Sequence, residues 1–193
     1  MIYETKNFQH LLGLNGFSEK LLQAHFGLYE GYVKNTNLLM EKLKSFDNTQ
    51  QAVVPEHAEL RRRFGWEWNG MRLHELYFGN MTVDEKKWDK TVGVFPKLVE
   101  QFGSVDAWRA DFVSAGKMRG IGWVILAKDM QTGQLHNTWI NEHDLGHLAG
   151  TTPLLVMDVF EHAFIMDYGM DRGSYINAFM DAIDWNVVSS RMA

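Results

Sequence analysis

The chain has 193 residues, carries 19 Lys and Arg against 24 Asp and Glu for a net charge of −5, and is 46% hydrophobic. This hydrophobic content excludes an intrinsically disordered chain, which needs low hydrophobicity and high net charge. There is no cysteine, so disulfides, thiolate metal sites and a cysteine nucleophile are excluded. Any metal must therefore be bound by His, Asp or Glu.

The charge balance and the apolar runs argue against nucleic-acid and membrane binding. Neutralising phosphates needs a dense basic face, whereas the Arg cluster at residues 61–63 is typical of a solvated helix face. The chain begins without a cationic segment followed by an apolar one, and no apolar run approaches the ~20 residues that span a bilayer. We therefore expect a soluble, cytoplasmic protein that binds neither nucleic acid nor membrane.

Two long helices are predicted in the N-terminal part of the chain. Between residues 18 and 44, apolar side chains recur at three- and four-residue steps, which is typical of an amphipathic helix. A second helix is predicted from Pro55, a residue that suits a first turn, to Phe78. Gly65 and Gly70 within it leave room for a bend or for close packing.

Two further helices are predicted from capping signals. Thr82 and Glu85 enclose the pattern of a capping box, which predicts a third helix that begins there and ends near Gly103. Ser104 is a candidate N-cap for a fourth helix, which stops at Gly116.

The pattern then changes to short β-rich runs separated by turn residues. Residues 122–127 and 135–140 predict two hairpin strands joined by a turn at 131–134. Residues 153–158 predict a third strand that is apolar throughout and hence buried on both faces. Helical spacing returns from Glu161 onward.

These elements predict an α+β protein in two parts. Residues 1–82 would form an N-terminal helical hairpin domain, and residues 83–193 a C-terminal domain with a three-stranded antiparallel sheet and helices.

The candidate chemistry lies in a few histidines and one aspartate. Asp158 ends the buried third strand and His162 follows four residues later, so both can face one point. A carboxylate in apolar surroundings must be paired or coordinated to offset its desolvation. His25 and His74 lie on the apolar faces of the first two helices. Three imidazoles and one carboxylate would suit Fe or Mn, with one position open for solvent.

Spacing alone leaves alternatives open. Each histidine could be a hydrogen-bonded core residue, and Asp158 with His162 could be a helix cap and a surface pair. Two histidines and one carboxylate would also fit a facial triad of a non-haem iron oxygenase, formed by His25, His74 and Asp158.

Four segments together resemble the iron/manganese superoxide dismutases. The sequence DVFEHAFIMDY at residues 158–168 resembles the family's D-x-W-E-H-A-Y signature. HFGLYEGYVKN at 25–35 and NGMRLHELYF at 69–78 are similar to its first two ligand helices, and GIGW at 120–123 to the strand that carries a pocket tryptophan. The likeness spans nearly the whole chain in the family's order.

The resemblance implies a superoxide dismutase that converts superoxide to O₂ and hydrogen peroxide at one Fe or Mn ion per subunit. Its four metal ligands would be His25, His74, Asp158 and His162. Solvent would take the fifth position, and the metal would alternate between its trivalent and divalent states. A noncatalytic metal-binding relative with a structural or interaction role is the other interpretation.

The resemblance also implies residues around the metal. Tyr32 would line the pocket, and Trp123 would form one of its walls. Residues 141–143, Asn-Glu-His, are similar to the archaeal branch, in which a histidine replaces the glutamine that holds the solvent. His143 would take that role, with His147 as a competitor, and Gly70 would leave space for a side chain from elsewhere. The remaining histidines are interpreted as surface residues: His10, His57 and His136.

Two charged residues have implied roles outside the pocket. Glu161 resembles the glutamate that reaches His162 of the partner subunit, which implies a homodimer or tetramer. Arg172 resembles the arginine that draws anions into the site. An exposed first-turn glutamate and a plain salt bridge are the alternatives for these two residues.

The chain also departs from the family pattern. The family's gateway histidine falls at Leu28 or Tyr29, and its gateway tyrosine falls at Ile165. The His25–Tyr32 spacing is one residue shorter than is usual, but seven steps of an α-helix return nearly to the same face. We expect metal binding to survive these changes.

Overall fold

The computed structural model describes residues 3–46, 54–84 and 91–193. After a 3₁₀ turn at Gln9–Leu11, two long helices form the N-terminal half: α1 at Glu19–Ser45 and α2 at Pro55–Gly79. Contacts pair Asn35 with Glu67 and Tyr29 with Glu75, so the two helices run antiparallel. Both predicted helices are confirmed.

The start of α1 is fixed by its cap. The Ser18 hydroxyl accepts a hydrogen bond from the Leu21 amide at 3.1 Å, which satisfies one of the free donors of the first turn. The buried face of α1 carries large apolar residues and one imidazole, and it packs against α2: Leu21, Leu22, His25, Phe26, Tyr29, Val33, Leu39 and Leu43.

The third helix begins later than predicted. It spans Phe95–Phe102 (α3), and the prediction that it begins at Thr82 is wrong. The Thr82 hydroxyl accepts from the Asp84 amide instead, while Glu85 lies outside the described residues. Gly93 has a φ of +67°, a left-handed conformation that no α-helix can pass through, so α3 starts only after it.

The rest of the helical prediction in this region is confirmed. Gly103 ends α3 with a φ of +84°. The Ser104 hydroxyl accepts from the Ala107 amide at 3.0 Å and caps α4, which spans Val105–Gly116.

The three predicted strands form one antiparallel sheet. β1 spans Gly122–Asp129, β2 Leu135–Asn141 and β3 Thr151–Asp158, and their order is β2-β1-β3. On the central strand, Trp123 pairs with Ile140 on one side and with Asp158 on the other. The register therefore places Trp123 next to the residue whose carboxylate ends β3.

Short helices complete the C-terminal half. A 3₁₀ turn at Glu161–Ala163 is followed by α5 at Ile165–Tyr168, α6 at Arg172–Asp181 and α7 at Trp185–Ser190. One apolar core runs through both halves of the chain. Among the described residues, no helix combines the length and the apolar character that crossing a bilayer requires.

Candidate metal centre

Four side chains from four elements converge at the junction of the two halves. They come from α1, α2, the end of β3 and the 3₁₀ turn after it, and their candidate donor atoms all lie within 4.8 Å of one another: His25, His74, Asp158 and His162. The first three are buried and His162 is partly buried. The structure thus brings together all four residues that the sequence nominated as ligands.

The carboxylate of Asp158 is the centre of this cluster. Its Oδ2 lies 3.2 Å from the Nε2 atoms of His25 and His162, and 3.7 Å from that of His74. Its Oδ1 accepts a hydrogen bond from the Phe160 amide at 2.8 Å. Because that bond holds one oxygen, the other is turned toward the three imidazoles.

One ring nitrogen of His74 is buried without a hydrogen-bond partner in the part of the chain that the structure describes. Its Nδ1 lies 2.6 Å from the carbonyl oxygen of Gly70, so Nδ1 carries the proton and donates it there. Nε2 therefore presents a lone pair toward Asp158, and this buried atom has no hydrogen-bond partner among the described residues. An unmet buried acceptor costs about 1–3 kcal/mol. A cation would satisfy it, and a ligating histidine commonly donates its other N–H to a backbone carbonyl.

The protonation states of the cluster suit a cation. Burial lowers the pKa of His25, and burial with the neighbouring His25 lowers the pKa of His74 further. Burial alone would raise the pKa of Asp158, but His162 and His25 outweigh it and lower that pKa below its ordinary range. Neutral imidazoles and an ionised carboxylate are the forms that bind metal, so the residues present fit Fe or Mn.

A second group lies beside the four donors. His143 is fully buried, its Nδ1 is 3.0 Å from Trp123 Nε1, and its Nε2 is 2.8 Å from the hydroxyl of Tyr32. An indole N–H can only donate, so Nδ1 is the acceptor. Burial lowers the pKa of His143 to about 4, and the neutral ring then carries its proton on Nε2 and donates it to Tyr32.

The rings of this group also pack on the donors. The Tyr32 ring stacks on His74 at 5.1 Å, and the Trp123 ring meets His74 edge to face at 4.9 Å. Phe160 stacks between His143 and His162, with centroids 4.7 and 5.1 Å away. These aromatic contacts keep water away from one side of the cluster.

Tyr32, rather than His143, fills the space above Gly70. A Cβ at Gly70 would lie 2.5 Å from Cδ1 of Tyr32, and the three nearest atoms all belong to that ring. Gly70 therefore makes room for Tyr32, whereas His143 approaches the hydroxyl end of the same ring. A Cβ at Gly65 would meet nothing within 4 Å, and α2 continues through both glycines.

The remaining histidines lie away from the cluster. His147 is exposed, and its Nε2 lies 2.8 Å from the carbonyl oxygen of His143. It therefore supports the loop rather than the hydroxyl of Tyr32. His10 and His136 are exposed as predicted, and His57 is half-buried with its ring 5.2 Å from Phe46.

The residues with implied roles outside the pocket are at the surface. Glu161 is exposed, and Leu28 and Ile165 are 42% and 43% exposed. The Arg172 guanidinium donates to the carbonyl oxygens of Met118 at 2.7 Å and Gly120 at 2.9 Å.

Tyr29, the other residue at the family's gateway position, is not at the surface. It is buried, and its hydroxyl donates to Glu75 Oε1 at 3.1 Å.

Three contributors were not anticipated from the sequence. The Tyr175 hydroxyl donates to the carbonyl oxygen of Asp158 at 2.6 Å, and Trp66 and Glu142 contact each other beside His143. The spacing of Trp66, Gly70 and His74, four residues each, puts them on one face of α2 and could have indicated Trp66. No local signal indicates Tyr175.

Comparison with known proteins agrees with this geometry. Residues 90–191 match the family model of iron/manganese superoxide dismutases, C-terminal domain. The whole chain is 37% identical to superoxide dismutase (Fe) of Cupriavidus metallidurans and covers 98% of it. Over 97% of its length it is 34% identical to superoxide dismutase (Fe) of Aquifex pyrophilus, covering 90% of that protein.

A manganese relative matches to a similar degree. Superoxide dismutase (Mn) 2 of Haloferax volcanii is 33% identical over 90% of this chain, with 86% of the relative covered. Relatives named for either metal thus align over nearly the full length, and the chain belongs to the iron/manganese superoxide dismutase family.

Proposed function

We propose that the chain is a superoxide dismutase in which His25, His74, Asp158 and His162 hold one Fe or Mn ion. The observation that carries the ligand assignment is the unpartnered Nε2 of His74, buried and aimed at the Asp158 carboxylate. When bound, the metal would accept an electron from one superoxide, which becomes O₂, and donate an electron to a second, which becomes peroxide.

The protein's own contribution includes the handling of protons. Because His143 donates to the Tyr32 hydroxyl oxygen, the proton of that hydroxyl is free to point elsewhere. Burial raises the pKa of Tyr32, so the hydroxyl keeps its proton at neutral pH and can donate a hydrogen bond toward the peroxide that forms. We assign Tyr32 as the proton-holding residue and His143 as the residue that orients it.

Trp123 and Arg172 have roles in shape and charge. Trp123 is fully buried, closes one wall beside His74, and fixes the tautomer of His143. The Arg172 guanidinium is held by two uncharged carbonyl groups, which leave its positive charge in place. That charge can attract superoxide to a protein of net negative charge.

The four donors also separate this function from that of an iron oxygenase. A facial triad would use His25, His74 and Asp158 and leave His162 aside. Instead, His162 Nε2 is as close to Asp158 Oδ2 as His25 Nε2 is, at 3.2 Å. Four donors leave little room for an organic substrate to bind through two atoms.

We further propose a homodimer or tetramer in which Glu161 reaches His162 of the partner subunit. Glu161 is exposed next to a donor, and the exposed apolar residues Leu28 and Ile165 would be covered by a second copy. A cytoplasmic location stays a prediction from the sequence.

The experiment that tests the function is loading with each metal separately. We expect Fe- or Mn-loaded protein to bind one ion per chain and to remove superoxide in a pulse-radiolysis assay, and His74→Ala to lose tight metal binding. Stoichiometric metal with no turnover would mean a noncatalytic relative. Full metal content in His74→Ala would contradict the ligand assignment.

A further inference from the structure

The loop that carries His143 contains an unusual backbone conformation. Among the described residues, Glu142 is the one non-glycine residue with a positive φ, at +51°. Such a conformation costs about 1–2 kcal/mol and persists when surrounding contacts hold it. Two backbone bonds between Asn141 and Leu145, at 2.7 and 3.2 Å, close the loop. The turn at Glu142 sends the next side chain, His143, inward.

A contact from α2 holds this turn. The indole N–H of Trp66 donates to Glu142 Oε2 at 3.1 Å, which joins positions 76 residues apart in sequence. The Trp66 ring also meets His143 edge to face at 4.4 Å and lies 5.5 Å from the Tyr32 ring. Trp66 thus touches the turn and both partners of the His143–Tyr32 hydrogen bond.

Trp66 is itself fixed by a neighbouring cation. The Arg63 guanidinium lies 3.8 Å from the centroid of the indole ring. Arg63 is held there by Glu67, whose Oε1 accepts from two of its nitrogens at 2.8 and 2.9 Å. A cation over an indole face is a stabilising contact at exposed sites as well as buried ones. These contacts fix the orientation of the Trp66 ring independently of its hydrogen bond to Glu142.

We propose that the Trp66–Glu142 hydrogen bond positions His143, so that these two residues set the hydrogen bond from His143 to Tyr32. Neither residue belongs to the four donors. The expected effect on turnover rests on the proposed function. The effect on the position of His143 does not, because it can be measured in metal-free protein.

Four single variants, and the double variant Trp66→Phe/Glu142→Ala, test the proposal. Trp66→Phe removes the indole donor and keeps an aromatic ring, Glu142→Ala removes the acceptor, and Glu142→Gln retains an acceptor oxygen. Trp68→Phe is the matched control, because Trp68 lies on the same helix but packs against Tyr3, at 5.2 Å. The first readout is the ¹⁵N-imidazole NMR signal of His143 in metal-free protein. The second is the midpoint potential and turnover of metal-loaded protein.

We expect Trp66→Phe and Glu142→Ala to shift the His143 signals, to move the midpoint potential and to lower turnover roughly tenfold, as outer hydrogen-bond partners of metal sites do. The double variant should lose about as much as either single one, because both break one bond. Glu142→Gln and Trp68→Phe should stay within about twofold of the parent in turnover.

Unchanged His143 signals in both Trp66→Phe and Glu142→Ala would overturn the proposal. So would equal losses in these variants and in Trp68→Phe, since that pattern reports general packing. If the parent protein itself lacks turnover, the proposed function fails, and the NMR comparison still decides whether the pair positions His143.

Discussion

Replacing Gly70 by alanine tests the packing at the centre of the site. The new Cβ would lie 2.5 Å from Cδ1 of Tyr32, whereas ordinary contacts of such a carbon lie at 3.4–4 Å. The ring must therefore retreat by about 1 Å. A ring displaced by this distance cannot keep the geometry of the 2.8 Å hydrogen bond between its hydroxyl and His143.

Two opposing effects set the stability of this variant. Alanine is favoured over glycine in a helix interior by about 1 kcal/mol, while overpacking costs about 1–3 kcal/mol. We expect Gly70→Ala to be destabilised by about 0–2 kcal/mol and to lose roughly tenfold in turnover, with its metal content unchanged because the four donors are untouched.

Gly65→Ala is the control on the same helix. Nothing lies within 4 Å of a Cβ there, so this variant should show only the helix gain, about 1 kcal/mol. Urea unfolding of the metal-free proteins should separate the two variants by about 1–3 kcal/mol. Equal stability of both variants, with parental turnover in Gly70→Ala, would refute the packing argument.

Three further predictions follow from the same geometry. His143→Ala should retain one metal ion per chain, measured by elemental analysis, but lose roughly 10–100-fold in turnover; unchanged turnover would remove its assigned role. Glu161→Ala should sediment as a monomer, and an unchanged sedimentation coefficient would show that the bridge to the partner is not needed. Burial lowers the pKa of His143 from 6.5 to about 4. This histidine is therefore protonated below pH 6.5 in the unfolded chain, but only below about pH 4 in the folded chain. The metal-free protein should therefore lose stability as the pH falls between these values, by about 3 kcal/mol from this residue. His143→Gln should lose less in a urea titration over that range.

The parts of the fold that sequence reasoning found are those set by local patterns. The helical period of apolar residues and the Ser18 cap specify α1. Two short β-rich runs separated by turn residues specify the hairpin. The start of α3 was missed because its determinants are not local. The amide of Val94 donates to the Ser189 hydroxyl, 95 residues away, and Gly93 adopts a left-handed conformation that a capping pattern at Thr82 cannot reveal.

The residues of the site differ in how much of their arrangement the sequence predicts. The spacing of Asp158 and His162 predicted a pair on its own, whereas the convergence of His25 and His74 with that pair depended on family resemblance. The direction of the hydrogen bonds at His143 depends on the fold, because it follows from which ring atom faces Trp123. The contact between Trp66 and Glu142 cannot be predicted locally, because it joins a helix to a distant loop and neither segment's pattern indicates the other residue.

The donor set also explains how the two halves of the chain depend on each other. His25 and His74 come from the helical hairpin, while Asp158 and His162 come from the sheet half. The division into two domains after residue 82 stays a prediction. A metal site whose ligands come from both halves cannot form in either half alone. An ion bound there favours the docked arrangement over any separated one by its binding free energy. Metal loading should thus stabilise the junction itself, which is where the Tyr32–His143 hydrogen bond joins α1 to the loop after β2.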